Sequence, residues 1–135
     1  EQGGHLYHAT LPTDALASLR DVMLETRSLG FDLVRDRQQE LGDKVRALLA
    51  RRGFKSVAAA GFEAPGVVVS YTDDADIQSG KKFREAGLQS AAGVPLQCDE
   101  PSDFRTFRLG LFGLDKLQDV DRTVQRLDEA LNRIQ

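Results

Sequence analysis

The chain has little of what marks a secreted, membrane-bound or nucleic-acid-bound protein. One cysteine, Cys98, stands among its 135 residues, so no disulfide can close within it, as suits a reducing compartment. No apolar run approaches the roughly 18 residues that cross a bilayer, and no basic-then-apolar stretch opens the sequence. No sign of charge dominates: 18 Lys and Arg face 21 Asp and Glu, for a net charge of −3. The two signs are interspersed, without the basic stripe of a nucleic-acid surface. These absences lead us to expect a cytoplasmic protein with neither a membrane nor a nucleic-acid partner. Repeats, low-complexity tracts and linkers are also missing. The only methionine is Met23 and the first residue is Glu1, so a trimmed chain or a piece of a longer one is expected.

What is there is enough apolar material for a core. Hydrophobic residues make up 41% of the sequence and charged residues 29%, the balance of one globular domain. Pro12 and then Thr13 or Asp14 open a predicted helix, with Leu16, Leu19, Val22 and Met23 at helical spacing. It ends or bends near Leu29-Gly30. A second helix runs to about Arg52 with Val34, Leu41, Val45, Leu48 and Leu49 as its stripe. Arg51 and Arg52 suit its negative end, and Gly53 suits the C′ position. A weak strand is predicted over 56–60 and a strong one over Val67–Tyr71. Thr72-Asp73-Asp74 caps a helix over 75–86, another short strand covers 88–92, and 93–103 reads as a loop. After a strand at FRTFRLGLFG (104–113) comes a last helix carrying Val120, Val124, Leu127 and Leu131. The pattern is α+β: a small, mostly antiparallel sheet with helices packed on it, preceded by a long helical arm.

Within 104–113, alternation puts Phe107, Leu109 and Leu111 on one face and Arg108 on the other. Its same-face neighbours, Thr106 and Gly110, are small and leave room for something flat and anionic. A guanidinium matches a carboxylate with two parallel charge-assisted bonds, but a solvated surface arginine has the same spacing. Tyr7-His8-Ala9-Thr10 precedes a helix N-terminus, where phosphate is well received; Thr10 or Thr13 as ordinary caps fit equally. Ser79-Gly80-Lys81-Lys82 lacks the earlier glycine and the final Ser or Thr of a phosphate loop and reads as a solvated face. His5 and His8, three apart, have no nearby Cys or carboxylate partner, so no metal is expected. Cys98 sits beside Asp99-Glu100, which disfavours a thiolate.

Together YHATLPTDAL, GVVVSYT, GVPLQC and FRLGLFGLDKLQDVDRTV resemble the C-terminal part of class V aminotransferases, most closely the alanine–glyoxylate and serine–pyruvate group. The resemblance covers nearly the whole chain, and Phe107–Val124 is its most specific segment. It implies the small C-terminal domain of a fold type I pyridoxal-phosphate enzyme, with 1–30 a stub of the large domain and the first connecting helix, and 31–135 the small domain. It implies that Arg108 holds the substrate's α-carboxylate, and that Tyr7 and Thr10 reach the cofactor phosphate of the neighbouring subunit of a homodimer. The substrates would be an amino acid of alanine or serine type and a 2-oxo acid of glyoxylate or pyruvate type. The family's Schiff-base lysine lies upstream of anything present, and none of Lys44, Lys55, Lys81, Lys82 or Lys116 takes its place. The chain is therefore expected to contain no catalytic residue and to be inactive alone. Two other readings stand beside this one. A cysteine desulfurase-like enzyme would use Cys98, and a stand-alone ligand-binding α+β module would use Arg108 to grip an acidic metabolite.

Overall fold

The structure, a computed structural model, describes residues 10–134. They fall into two compact units with the boundary between Phe31 and Asp32. In the first, α1 (Thr13–Leu29) starts after Pro12 and ends at Gly30, whose φ of 94° stops the helix while its N–H reaches the Thr26 carbonyl. No residue of α1 is buried. The predicted stripe of Leu16, Leu19, Val22 and Met23 is exposed.

Helix α2 (Phe31–Arg51) buries Leu41, Val45, Leu48 and Leu49, as its spacing predicts. It ends in a Schellman motif. Gly53, at φ 84°, donates its N–H to the Ala50 carbonyl, and the Phe54 N–H reaches back to Leu49. The motif turns the Phe54 ring into the core. There follow β1 (Val67–Tyr71), α3 (Ala75–Gln78), α4 (Lys81–Glu85), β2 (Ala91–Ala92), β3 (Thr106–Gly110), α5 (Leu114–Gln118) and α6 (Val120–Ile134). The sheet order is β1-β3-β2, antiparallel throughout, with Val69 and Ala91 opposite Arg108 and Ser70 and Ala92 opposite Phe107. One sheet face carries Val68, Phe107 and Leu109 into a core shared with Leu41 and Leu48 of α2, Phe83 of α4 and Leu131 of α6. Phe107 is its centre, edge-on to Phe54 at 5.1 Å and tilted on Phe83 at 5.2 Å.

This is the expected α+β fold, with three differences. The strand predicted over 56–60 shrinks to a single bridge, Ser56 to Ser70. Alanines at 58–60 favour strands weakly, and Gly61 turns the chain at φ 86°. The helix predicted over 75–86 breaks into α3 and α4 because Gly80 sits at φ 76°, a left-handed conformation that interrupts a helix. The strand predicted over 88–92 pairs only at Ala91 and Ala92. Among the described residues no helix is long and apolar enough to cross a membrane.

Candidate functional site

Arg108 lies at the middle of the central strand, on the sheet face opposite Phe107. Its neighbours there are Val69 on β1 and Ala91 on β2, both too short to cover a guanidinium. The side chain is half-buried, and its Nε donates to the Ala92 carbonyl at 3.1 Å. No carboxylate among the described residues pairs with it. Of the other long cations near the core, Arg52 binds Asp128, Arg37 donates to a backbone carbonyl, and Arg46 donates through Nη2 to backbone carbonyls while its Nε and Nη1 are buried without a partner. The expected room on both flanks exists on one only. Gly110 is exposed, but Thr106 is 2% exposed, sealed by the close approach of Gly93. An aromatic rim lies further along the face, where Tyr71 meets Phe104 edge-on at 5.6 Å and Lys55 stands 6.0 Å over the Tyr71 ring.

A concavity of about 600 Å³ opens beside this face, lined by Gln78, Val94, Gln97, Glu100, Phe104 and Thr106 among others, and Arg108 is not part of its wall. The loop that frames it is held by Glu100, whose carboxylate accepts the N–H groups of Cys98 at 2.8 Å and Gln97 at 2.9 Å. Those amides, that of Cys98 first, lower the Glu100 pKa from 4.5 to about 2. A depressed folded-state pKa adds stability that is present above the unfolded value and lost as pH falls through the folded one. The Gln97 and Cys98 amide resonances are therefore expected to titrate with a midpoint near 2 rather than near 4.5. A midpoint at the higher value in an NMR titration would show that Glu100 does not clasp the loop. Cys98 itself is exposed.

The other sequence candidates scatter. Tyr7, His5 and His8 lie outside the described residues. Thr10 is exposed and belongs to the unit that carries α1; the N-cap of α1 is Pro12, with no side-chain cap bond. Lys81 and Lys82 form the expected solvated face, pairing with Asp76 at 3.0 Å and Asp74 at 2.6 Å. The Lys82 ammonium, helped by the Ile77 amide, lowers the Asp74 pKa. Lys44 is gripped by Asp121 and Glu40, each at 2.6 Å, and Lys116 by the Phe112 carbonyl at 2.7 Å. A lysine that attacks a carbonyl must first lose its proton, and the carboxylates hold the pKa values of Lys44 and Lys81 up. Sequence reasoning missed Gly93 and the Ala92 carbonyl, because nothing in Ala91-Ala92-Gly93 itself pairs that segment with Thr106 or Arg108.

No family model matches the chain, and no curated protein matches it. Among solved structures, the crystal structure of alanine–glyoxylate aminotransferase from Nostoc sp. matches with a TM-score of 0.69 over 93% of this chain, at 18% identity. The chain spans 33% of that protein's chain. At this identity the likeness shows the fold alone: an α+β domain with a small antiparallel sheet and packed helices, folded like one part of that structure.

Proposed function

We propose that this chain is the C-terminal portion of a class V, pyridoxal-phosphate-dependent aminotransferase, and that Arg108 binds the α-carboxylate of its substrates. The substrates would be an amino acid of alanine or serine type and a 2-oxo acid such as glyoxylate or pyruvate. The observation that carries the reading is Arg108 itself. It stands at the centre of the sheet on the face away from the core, with no ion-pair partner among the described residues and one nitrogen tied to a backbone carbonyl. Such a guanidinium is ready for a planar anion. The fold likeness and the sequence resemblance say which anion to test first.

In this reading residues 1–30 belong to the large domain and its connecting helix, and 31–135 form the small domain. Tyr7 and Thr10 would reach the cofactor phosphate of a neighbouring subunit in a homodimer, while the bound cofactor supplies the electron sink. The lysine that carries the cofactor would lie outside this chain, which is therefore inactive by itself. Arg108 acts by orientation, fixing the carboxylate so that the Cα–H bond of the amino acid lies correctly for proton removal.

Arg108→Lys in the intact protein is the test. Lysine keeps the charge but loses the planar fork, so transamination efficiency is expected to fall at least about tenfold, or about 1.4 kcal/mol of lost positioning. The thermal unfolding midpoint should stay within a few degrees, because Arg108 makes no core contact. Undiminished kcat/KM would return Arg108 to the role of a solvated surface arginine.

A further inference from the structure

We infer that Gly93 is a positioning residue for Arg108: by letting β2 lie flush on β3, it holds the Ala92 carbonyl against Arg108 Nε and leaves the Nη1/Nη2 edge to take a carboxylate end-on. The inference rests on the carboxylate role proposed above for Arg108.

The geometry is tight. A Cβ at Gly93 would lie 1.9 Å from the Thr106 carbonyl oxygen, 2.5 Å from its carbonyl carbon and 2.5 Å from its Oγ1. Two of those atoms are backbone, so no rotamer change relieves the contact. Thr106 cannot yield, being 2% exposed and paired with Tyr71 on a central strand. Strand β2 can. It is two residues long, at the sheet edge, with both residues exposed. Any side chain at position 93 must therefore lift β2 away from β3.

The part of β2 that would move is the part that touches Arg108. The Ala92 carbonyl and the Gly93 nitrogen belong to one rigid peptide plane. Its oxygen accepts from Arg108 Nε at 3.1 Å, and its N–H points to the Gln78 carbonyl at 3.4 Å. Displacing Gly93 takes the acceptor off Nε. Of the five guanidinium N–H donors, only the one on Nε is used here; the four on Nη1 and Nη2 remain. With Nε tied to the backbone, the guanidinium plane is set before any ligand arrives. Without that tie the guanidinium must be ordered during binding, which weakens carboxylate capture more than it slows the chemistry.

Two measurements test this. In the 135-residue chain, the Arg108 Nε proton is expected to exchange with water about tenfold more slowly than that of Arg126, an exposed arginine of α6, the protection that one ordinary hydrogen bond gives. Equal rates would overturn the inference, and this readout needs no variant that folds. In the intact protein, Gly93→Ala should raise KM for the amino acid about tenfold while kcat changes less than about threefold. In an Arg108→Lys background, where no Nε remains to be held, the same substitution should add nothing. Effects that simply multiply would mark Gly93 as a general structural residue and overturn the proposal. The two readings fail differently. An inert Arg108→Lys removes the carboxylate role itself, whereas an impaired Arg108→Lys beside an inert Gly93→Ala removes only the positioning role.

Discussion

Replacing Phe107 with alanine is expected to cost about 3–5 kcal/mol of folding stability, read as a lowered midpoint in urea unfolding. Phe107 is 0% exposed and touches the Phe54 and Phe83 rings, so its loss opens a cavity bounded by aromatic rings and sheet backbone. Neither collapses easily. Domains of this size hold about 5–15 kcal/mol in all, which puts the variant near the edge of folding. The adjacent residue gives the opposite result. Arg108→Ala removes one exposed hydrogen bond and no core contact, so its stability should change by only about 0.5 kcal/mol. A cost below about 1 kcal/mol for Phe107→Ala would mean that the two sheet faces are assigned the wrong way round.

That contrast between residues 107 and 108 was readable from the sequence, because strand alternation is a local rule and 104–113 follows it. The α2 stripe was readable for the same reason: Leu41, Val45, Leu48 and Leu49 repeat at helical spacing and are all buried. Local rules failed where one glycine decides. Gly80 can sit inside a helix or break it, and nothing in its neighbours shows which. They also failed where pairing depends on a distant partner. Residues 88–92 were read as a strand, yet β3 pairs with only two of them.

Much less of the site was legible. The sequence singled out Arg108 and its small neighbours but treated Thr106 and Gly110 alike. The fold separates them, since Gly93 packs on Thr106 while Gly110 stays exposed. Gly93 is 13 residues before Thr106, and no periodicity links a loop glycine to a strand threonine. The Arg108 bond to Ala92 is equally hidden, because a backbone carbonyl leaves no mark on residue identity. The apolar stripe of α1 is exposed. Its spacing marks an apolar face but not what that face meets, and none of its residues is buried.

Filling Gly42 is expected to destabilise the chain, although the helix scale alone says otherwise. Glycine within a helix is about 1 kcal/mol worse than alanine, so Gly42→Ala on an open helix face would be a gain. Here a Cβ would stand 2.8 Å from the Pro65 carbonyl oxygen and 3.0 Å from its Cα. Both are backbone atoms of a turn that α2 clamps from either side. One turn earlier Gln38 donates to the Pro65 carbonyl at 3.0 Å, and one turn later Arg46 donates to the Ala64 and Val67 carbonyls at 2.7 and 3.0 Å. Gln38, Gly42 and Arg46 thus form a seam at four-residue spacing, in which glycine admits the turn and its neighbours fasten it. Overpacking of this kind costs about 1–3 kcal/mol, and pushing Pro65 away strains those bonds as well. The cost exceeds the propensity gain for alanine by about 1 kcal/mol, and for valine, larger and a poorer helix former, by about 2 kcal/mol. Equilibrium urea unfolding of Gly42→Ala and Gly42→Val decides the matter: the order wild type, alanine, valine supports the seam, and an alanine variant more stable than wild type refutes it.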